Sequence, residues 1–172
     1  MQKKETLIVY GTRYHATEET VAEISSVLEK EYNHNVEIFN LKEYRSCPDL
    51  SMYDNIILGT GIEYGAWTEN AEKFLGREEL KDKKIAVFVS SHYAGEPDKH
   101  DEALQKYVVE VISKYEQIKP VSMEAFGGRV PKEKIPDLFD RRVLARLHEN
   151  QVDNRDWEKI KDWAKILGKL LE

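Results

Sequence analysis

Three short runs in this chain are apolar at every position: Leu7-Ile8-Val9-Tyr10, Ile56-Ile57-Leu58 and Ile85 to Val89. A strand with one wet face alternates apolar and polar residues. A run without alternation is covered on both faces, which is the situation of a parallel sheet held between helix layers. Between these runs the period changes. Val21, Ile24 and Leu28 repeat at helical spacing. Leu104, Tyr107, Val108, Val111, Ile112 and Tyr115 mark one helix face, and Trp157, Ile160, Trp163, Ala164, Leu167 and Leu171 mark another. Val36 to Phe39 and Val121 to Phe126 read as two further strands, the second stopped by Gly127-Gly128. Ala66 to Leu75 and Asp137 to His148 read as helices. Five strands alternating with helices predict a doubly wound α/β fold, a five-stranded parallel sheet in a three-layer α/β/α sandwich.

The pattern runs through without repeats or an interdomain linker, so 1–172 reads as a single domain. The segment 128–156, with Pro131, Pro136 and clustered charges, reads as an insertion before the last helix. Charged residues at 34% and hydrophobic ones at 41% exclude a disordered chain. A net charge of −6 speaks against nucleic acid as the main partner. Cys47 is the only cysteine, so no internal disulfide forms, which suits a reducing cytoplasm. The run after Lys3 and Lys4 is too short for an export signal, and no stretch is long enough to span a bilayer. A cytoplasmic location is the expectation.

In open sheets of this type, ligands sit beyond the carboxyl ends of the strands. That selects three loops: Gly11 to Thr17, Gly59 to Trp67, and Ser90 to Pro97. The first enters a helix N-terminus, where unpaired N–H groups and the helix dipole favour an anion. With hydroxyls at Thr12 and Thr17, and Arg13, Tyr14, His15 and Ala16 between them, it reads as a phosphate cradle. The other reading is that Thr17 only caps the helix, with Glu18 and Glu19 complementing the dipole; a later start is open too, because Thr20 and Glu23 have capping-box spacing. No Walker glycine-lysine pattern is present.

The second loop, "GTGIEYGAW", contributes Thr60, Gly61, Ile62, Glu63, Tyr64 and Gly65. Its glycines resemble a dinucleotide fingerprint, but the spacing is wrong and the motif belongs after the first strand. The third, "SSHYAGEP", contributes Ser90, Ser91, His92 and Tyr93. Tyr64 and Tyr93 supply aromatic faces for a flat ring, whereas Trp67 reads as ordinary packing. Ser90-Ser91-His92 is not a nucleophile elbow, and the five histidines show no metal-ligand spacing.

On these motifs the sequence resembles the flavodoxin-domain family, in the branch that contains the menaquinone-dependent protoporphyrinogen IX dehydrogenases. "TRYHAT", "GTGIEYGAWTENAEKFL", "FVSSHYAGEPDK", "FGGRVP" and "DWEKIKDWAKIL" carry the resemblance, which covers nearly the whole chain. It implies a flavodoxin-like sheet of order 2-1-3-4-5 and riboflavin phosphate, FMN, as cofactor. The phosphate would lie in Thr12 to Thr17, and the isoalloxazine ring between the loops of Tyr64 and Tyr93. It also implies that a peptide beside Gly61 or Gly65 turns to meet the reduced ring. Family members usually carry glycine where this chain has His15, and a small or acidic residue at Tyr14.

In the porphyrinogen-oxidising members the insertion is longer, apolar and basic. Here Asp137, Asp140, Arg141, Arg142 and Arg146 interrupt its apolar residues, which predicts docking on the domain rather than membrane insertion. The leading expectation is an FMN-binding protein that transfers electrons to and from redox partner proteins. The alternatives are a flavin-dependent oxidoreductase acting on a protoporphyrinogen, a quinone or another small organic substrate, and a flavodoxin-fold domain without flavin.

Overall fold

The computed structural model describes residues 2–12, 14–130 and 153–172. The helix expected over Asp137 to His148 lies outside the described residues. In chain order the elements are β1 (Lys4–Gly11), α1 (Ala16–Tyr32), β2 (His34–Asn40), β3 (Asn55–Glu63), β4 (Ala66–Trp67), α2 (Glu69–Leu75), β5 (Lys84–Ser90), α3 (His100–Leu104), α4 (Glu110–Ile112), β6 (Ser122–Phe126) and α5 (Trp157–Leu170). The sheet order is β2-β1-β3-β5-β6, all parallel, with β4 folded back antiparallel on β3. Without the two-residue β4 this is the expected order 2-1-3-4-5.

The unbroken apolar runs fall on the central strands, where both faces are covered. Leu7, Val9, Ile56, Leu58, Val87 and Val89 point to one face, against Phe74, Leu75, Val108 and Ile112. Ile8, Tyr10, Ile57, Ala86 and Phe88 point to the other, against Val21, Ile24 and Leu28 of α1 and Ile160, Trp163 and Leu167 of α5. Side chains alternate across a strand, so neighbours in one run serve opposite cores. Phe88, Phe126 and Trp163 meet edge-on or tilted, with centroids 5.5–5.8 Å apart. β2 forms an edge and has exposed positions at Asn35, Glu37 and Ile38, as a strand covered on one side should.

Three local features differ from the periodic reading. Ala66-Trp67 is not helical: the chain turns back on β3, Ile62 pairs with Trp67 and Glu63 with Ala66, and α2 starts only after Thr68. The Trp67 indole N–H donates to the Tyr107 carbonyl at 2.6 Å, and the ring is buried as core. The helix through Leu104 to Tyr115 is broken by a π turn at Gln105–Val109. One extra residue in a turn rotates the face, so Tyr107 and Val108 are buried while Leu104 and Val111 are half-buried. Trp157, placed by periodicity on the buried face of α5, lies at its rim, 36% exposed and covered by the Arg155 guanidinium 4.7 Å from the ring.

Candidate functional site

The carboxyl edge of the sheet is where the loops converge. β1 ends at Gly11, Thr12 is buried, and α1 begins at Ala16. The turn between them depends on His15, which adopts φ +65° at the N-cap position and makes no side-chain cap bond. This is the backbone angle for which glycine is the usual solution. The imidazole points outward, with Nδ1 2.8 Å from the Glu18 carboxylate. Contrary to both capping readings of the sequence, neither Thr17 nor Thr20 caps α1. Thr17 lies inside the first turn and caps nothing. Thr20 donates its hydroxyl to the Ala16 carbonyl at 3.1 Å, so it sits past the start. The Thr17 hydroxyl oxygen is buried and has no hydrogen-bond partner.

The second loop is a tight hairpin. Tyr64 and Gly65 have φ of +52° and +75°, the paired positive angles of a two-residue turn that suits strand twist. Glycine takes that angle freely, whereas Tyr64 takes it at a cost and is left 78% exposed. Gly61 serves a different purpose. A β-carbon there would stand 3.3 Å from Thr17 Oγ1, filling the space in front of the partnerless hydroxyl. The Tyr14 hydroxyl donates to Glu63 at 2.5 Å and ties the first loop to the second. Thr60 is fully buried behind them, its hydroxyl 3.1 Å from that of Thr68.

The third loop is fixed from below and from the side. Ser90 donates to the Gly127 carbonyl at 3.1 Å, and the Ser91 amide to Phe126 at 2.9 Å. The side chain of Asn154 then spans two loops: it donates to the His92 carbonyl at 2.7 Å and accepts from the Gly128 amide at 3.0 Å. Tyr93 packs edge-on against Tyr107, with ring centroids 6.4 Å apart. A hydrogen bond to Glu102 pushes the Tyr93 phenol above its ordinary pKa. Beside the first loop, Arg155 is 3% exposed and donates to Asp153 at 2.7 Å and Glu19 at 2.6 Å. These bonds hold the Asp153 carboxyl below the usual carboxylate range and raise the Arg155 guanidinium above its own.

The loops enclose a cavity of about 300 Å³. It is lined by Thr12, Tyr14, Ala16 and Thr17, by Gly61, Ile62, Glu63, Tyr64 and Gly65, and by Ser90, Ser91, His92 and Tyr93. Two expected site residues are not on its wall. The His15 side chain faces solvent, because its φ turns the side chain out. Thr60 is spent in bonds behind the wall. Arg13 lies outside the described residues. Sequence reasoning missed Tyr107, Gly128, Arg129 and Val130, which also line the cavity. For Gly128 to Val130 the signal was present, since they follow the fifth parallel strand at the same carboxyl edge. Tyr107 gave none, because only the π turn sets which way that helix face points.

The model of a family described as the flavodoxin domain matches residues 7–157. The chain belongs to the flavodoxin-domain family. No curated protein sequence matches it. Among solved structures, oxidised Flavodoxin 1 from Bacillus cereus is 18% identical with a TM-score of 0.60, covering 98% of this chain and 99% of that one. Flavodoxin 2 from the same organism is 22% identical with a TM-score of 0.56, covering 96% and 99%. A mutant flavodoxin from Fusobacterium nucleatum, solved with flavin mononucleotide bound, is 16% identical with a TM-score of 0.54, covering 99% and 98%. These likenesses concern the fold.

The residues of this flavodoxin domain fit a phosphorylated ligand with a flat ring. The helix N-terminus offers amides, Thr17 a buried hydroxyl without partner, and Gly61 the space before it. Tyr64 and Tyr93 stand on the two loops that border the remaining volume. Among the described residues no group of histidine, cysteine and carboxylates is placed to hold a metal ion, and no helix is long and apolar enough to cross a membrane.

Proposed function

We propose that the chain binds FMN in this cavity and passes electrons between partner redox proteins. The observation that carries the reading is Thr17: a hydroxyl buried to 1% exposure, without a partner, at the N-terminus of a seventeen-residue helix that has no side-chain cap. Leaving a buried hydroxyl unpaired costs roughly 1–3 kcal/mol. A phosphate oxygen removes that cost and satisfies the first-turn amides together. Membership in the flavodoxin-domain family, and FMN in the Fusobacterium nucleatum protein, support the same ligand.

When bound, FMN supplies the redox chemistry, and the protein supplies position and electrostatics. Thr12, Thr17 and the first-turn amides hold the phosphate. The Tyr64 and Tyr93 loops border the ring, and the bonds of Asn154 and Ser90 tie the third loop to the segment after β6. Tyr14, bonded to Glu63, closes the wall between phosphate and ring. The exposure of Tyr64 leaves the ring edge open to a partner, as electron transfer by contact requires.

The absorbance spectrum of purified protein, with added FMN and during reductive titration, tests the reading. A colourless protein that takes up no FMN would remove it and leave a flavin-free domain. Turnover of protoporphyrinogen with a quinone would instead place the chain with the dehydrogenases its motifs resemble.

A further inference from the structure

Arg129 follows β6 and closes one side of the cavity. Its backbone is fixed by an antiparallel bridge to Asp153. Its guanidinium leans on the first turn of α1, with Nη2 3.5 Å from a Glu19 carboxylate oxygen. The other Glu19 oxygen takes Arg155 Nη1 at 2.6 Å. Arg155 is engaged at every nitrogen: beyond Glu19, bonds go to Asp153 at 2.7 and 2.9 Å and to the Ala16 carbonyl at 3.3 Å. Arg129 is not. Its Nε is buried and has no hydrogen-bond partner. Thr17, on the wall of the same cavity, has the second such atom.

Two buried donors without acceptors therefore line one cavity at one helix N-terminus. An unpaired guanidinium N–H in a buried setting is costly, and an anion that accepts from it removes the cost. The charges lead to the same conclusion. Glu18 and Glu19 in the first turn complement the helix dipole but repel an incoming phosphate. Glu18 is hydrogen-bonded to His15 at 2.8 Å, and Glu19 is shared by two arginines. Asp153 is taken up by Arg155. The donor left over is Arg129 Nε.

From this geometry we infer that Arg129 is the cavity's anion-binding cation: its Nε donates to the phosphate of the flavin beside the first turn of α1, and it sets the preference for FMN over riboflavin. The inference rests on the FMN reading and adds a residue from the far end of the sheet to the phosphate site. Riboflavin is the matched control, because it keeps the ring and ribityl chain and lacks only the phosphate.

Apoprotein is titrated with FMN and with riboflavin, following flavin fluorescence, for wild type, R129Q and R129K. Wild type should prefer FMN. In R129Q the FMN-to-riboflavin affinity ratio should fall by about ten- to a hundredfold, the size of one charge-assisted hydrogen bond, with riboflavin affinity and thermal midpoint unchanged. R129K keeps the charge without the Nε donor and should recover only part of the ratio. An unchanged ratio in R129Q, or equal losses for both ligands, overturns the inference and leaves the flavin site standing. A wild type that binds neither flavin overturns both. If R129Q fails to fold, R129K decides alone: a reduced ratio supports the role, and the full wild-type ratio overturns it.

Discussion

Replacing Thr17 by Val should make the apoprotein more stable and FMN binding weaker. The two side chains have nearly the same shape, so the substitution exchanges a hydroxyl for a methyl group at constant packing. Thr17 is 1% exposed, and its hydroxyl oxygen meets no partner. The nearest crowding position is Gly61, which has no β-carbon, so the new methyl group has room. Helix propensities of Thr and Val are close and cancel. What remains is the penalty of the unpaired hydroxyl, roughly 1–3 kcal/mol, which the apoprotein recovers. With a urea slope of about 2 kcal/mol per molar, the unfolding midpoint should rise by about 0.5–1.5 M. FMN affinity falls at the same time. One charge-assisted hydrogen bond is lost, roughly 1.5–3 kcal/mol, or about ten- to a hundredfold in Kd. Urea unfolding of apoprotein and fluorescence titration with FMN measure the two effects separately. A destabilised apoprotein would show that Thr17 is satisfied in solution. Unchanged FMN affinity would remove its hydroxyl from the phosphate site.

Stability should also depend on pH through His34, which is buried with Nδ1 2.8 Å from the Thr6 hydroxyl and Nε2 without a partner. Burial holds its imidazole below the ordinary value of 6.5. The unfolded chain binds that proton more readily, so this contribution is complete above about pH 6.5 and is lost as pH falls through that value toward the folded pKa. Wild type should lose more stability than His34→Gln between about pH 7.5 and about pH 5.5 in urea unfolding, and parallel losses would refute the assignment. Gly65→Ala places a β-carbon at φ +75° and should cost about 1 kcal/mol of stability while FMN stays bound. Reductive titration should show a narrower spacing between the two one-electron potentials, and identical potentials in both proteins would leave Gly65 with only a turn-forming role. The charges in the insertion predict no stable membrane association, so co-flotation with anionic liposomes at moderate salt would revive the quinone-linked reading.

The sequence by itself determined the architecture and the edge at which a ligand binds. Runs such as Leu7 to Tyr10 and Ile85 to Val89 can be satisfied only with helices on both faces, and helical spacing such as Val21, Ile24 and Leu28 supplies those helices. Once the sheet is parallel, the loops after its strands meet at one edge, so Thr12 to Thr17, Gly61 to Gly65 and Ser90 to Tyr93 were legible as neighbours. Periodicity carries that information because it repeats over many residues. What it does not carry is the direction of one side chain in an irregular segment. That depends on single dihedral angles and on bonds between distant parts of the chain. His15 at φ +65° turns outward and leaves Thr17 inside without a partner. The π turn at Gln105–Val109 swings Tyr107 onto the cavity wall. Arg155 takes Asp153 and shares Glu19 with Arg129, whose Nε stays buried without an acceptor. Each of these depends on packing between segments far apart in sequence, so only the tertiary structure decided them.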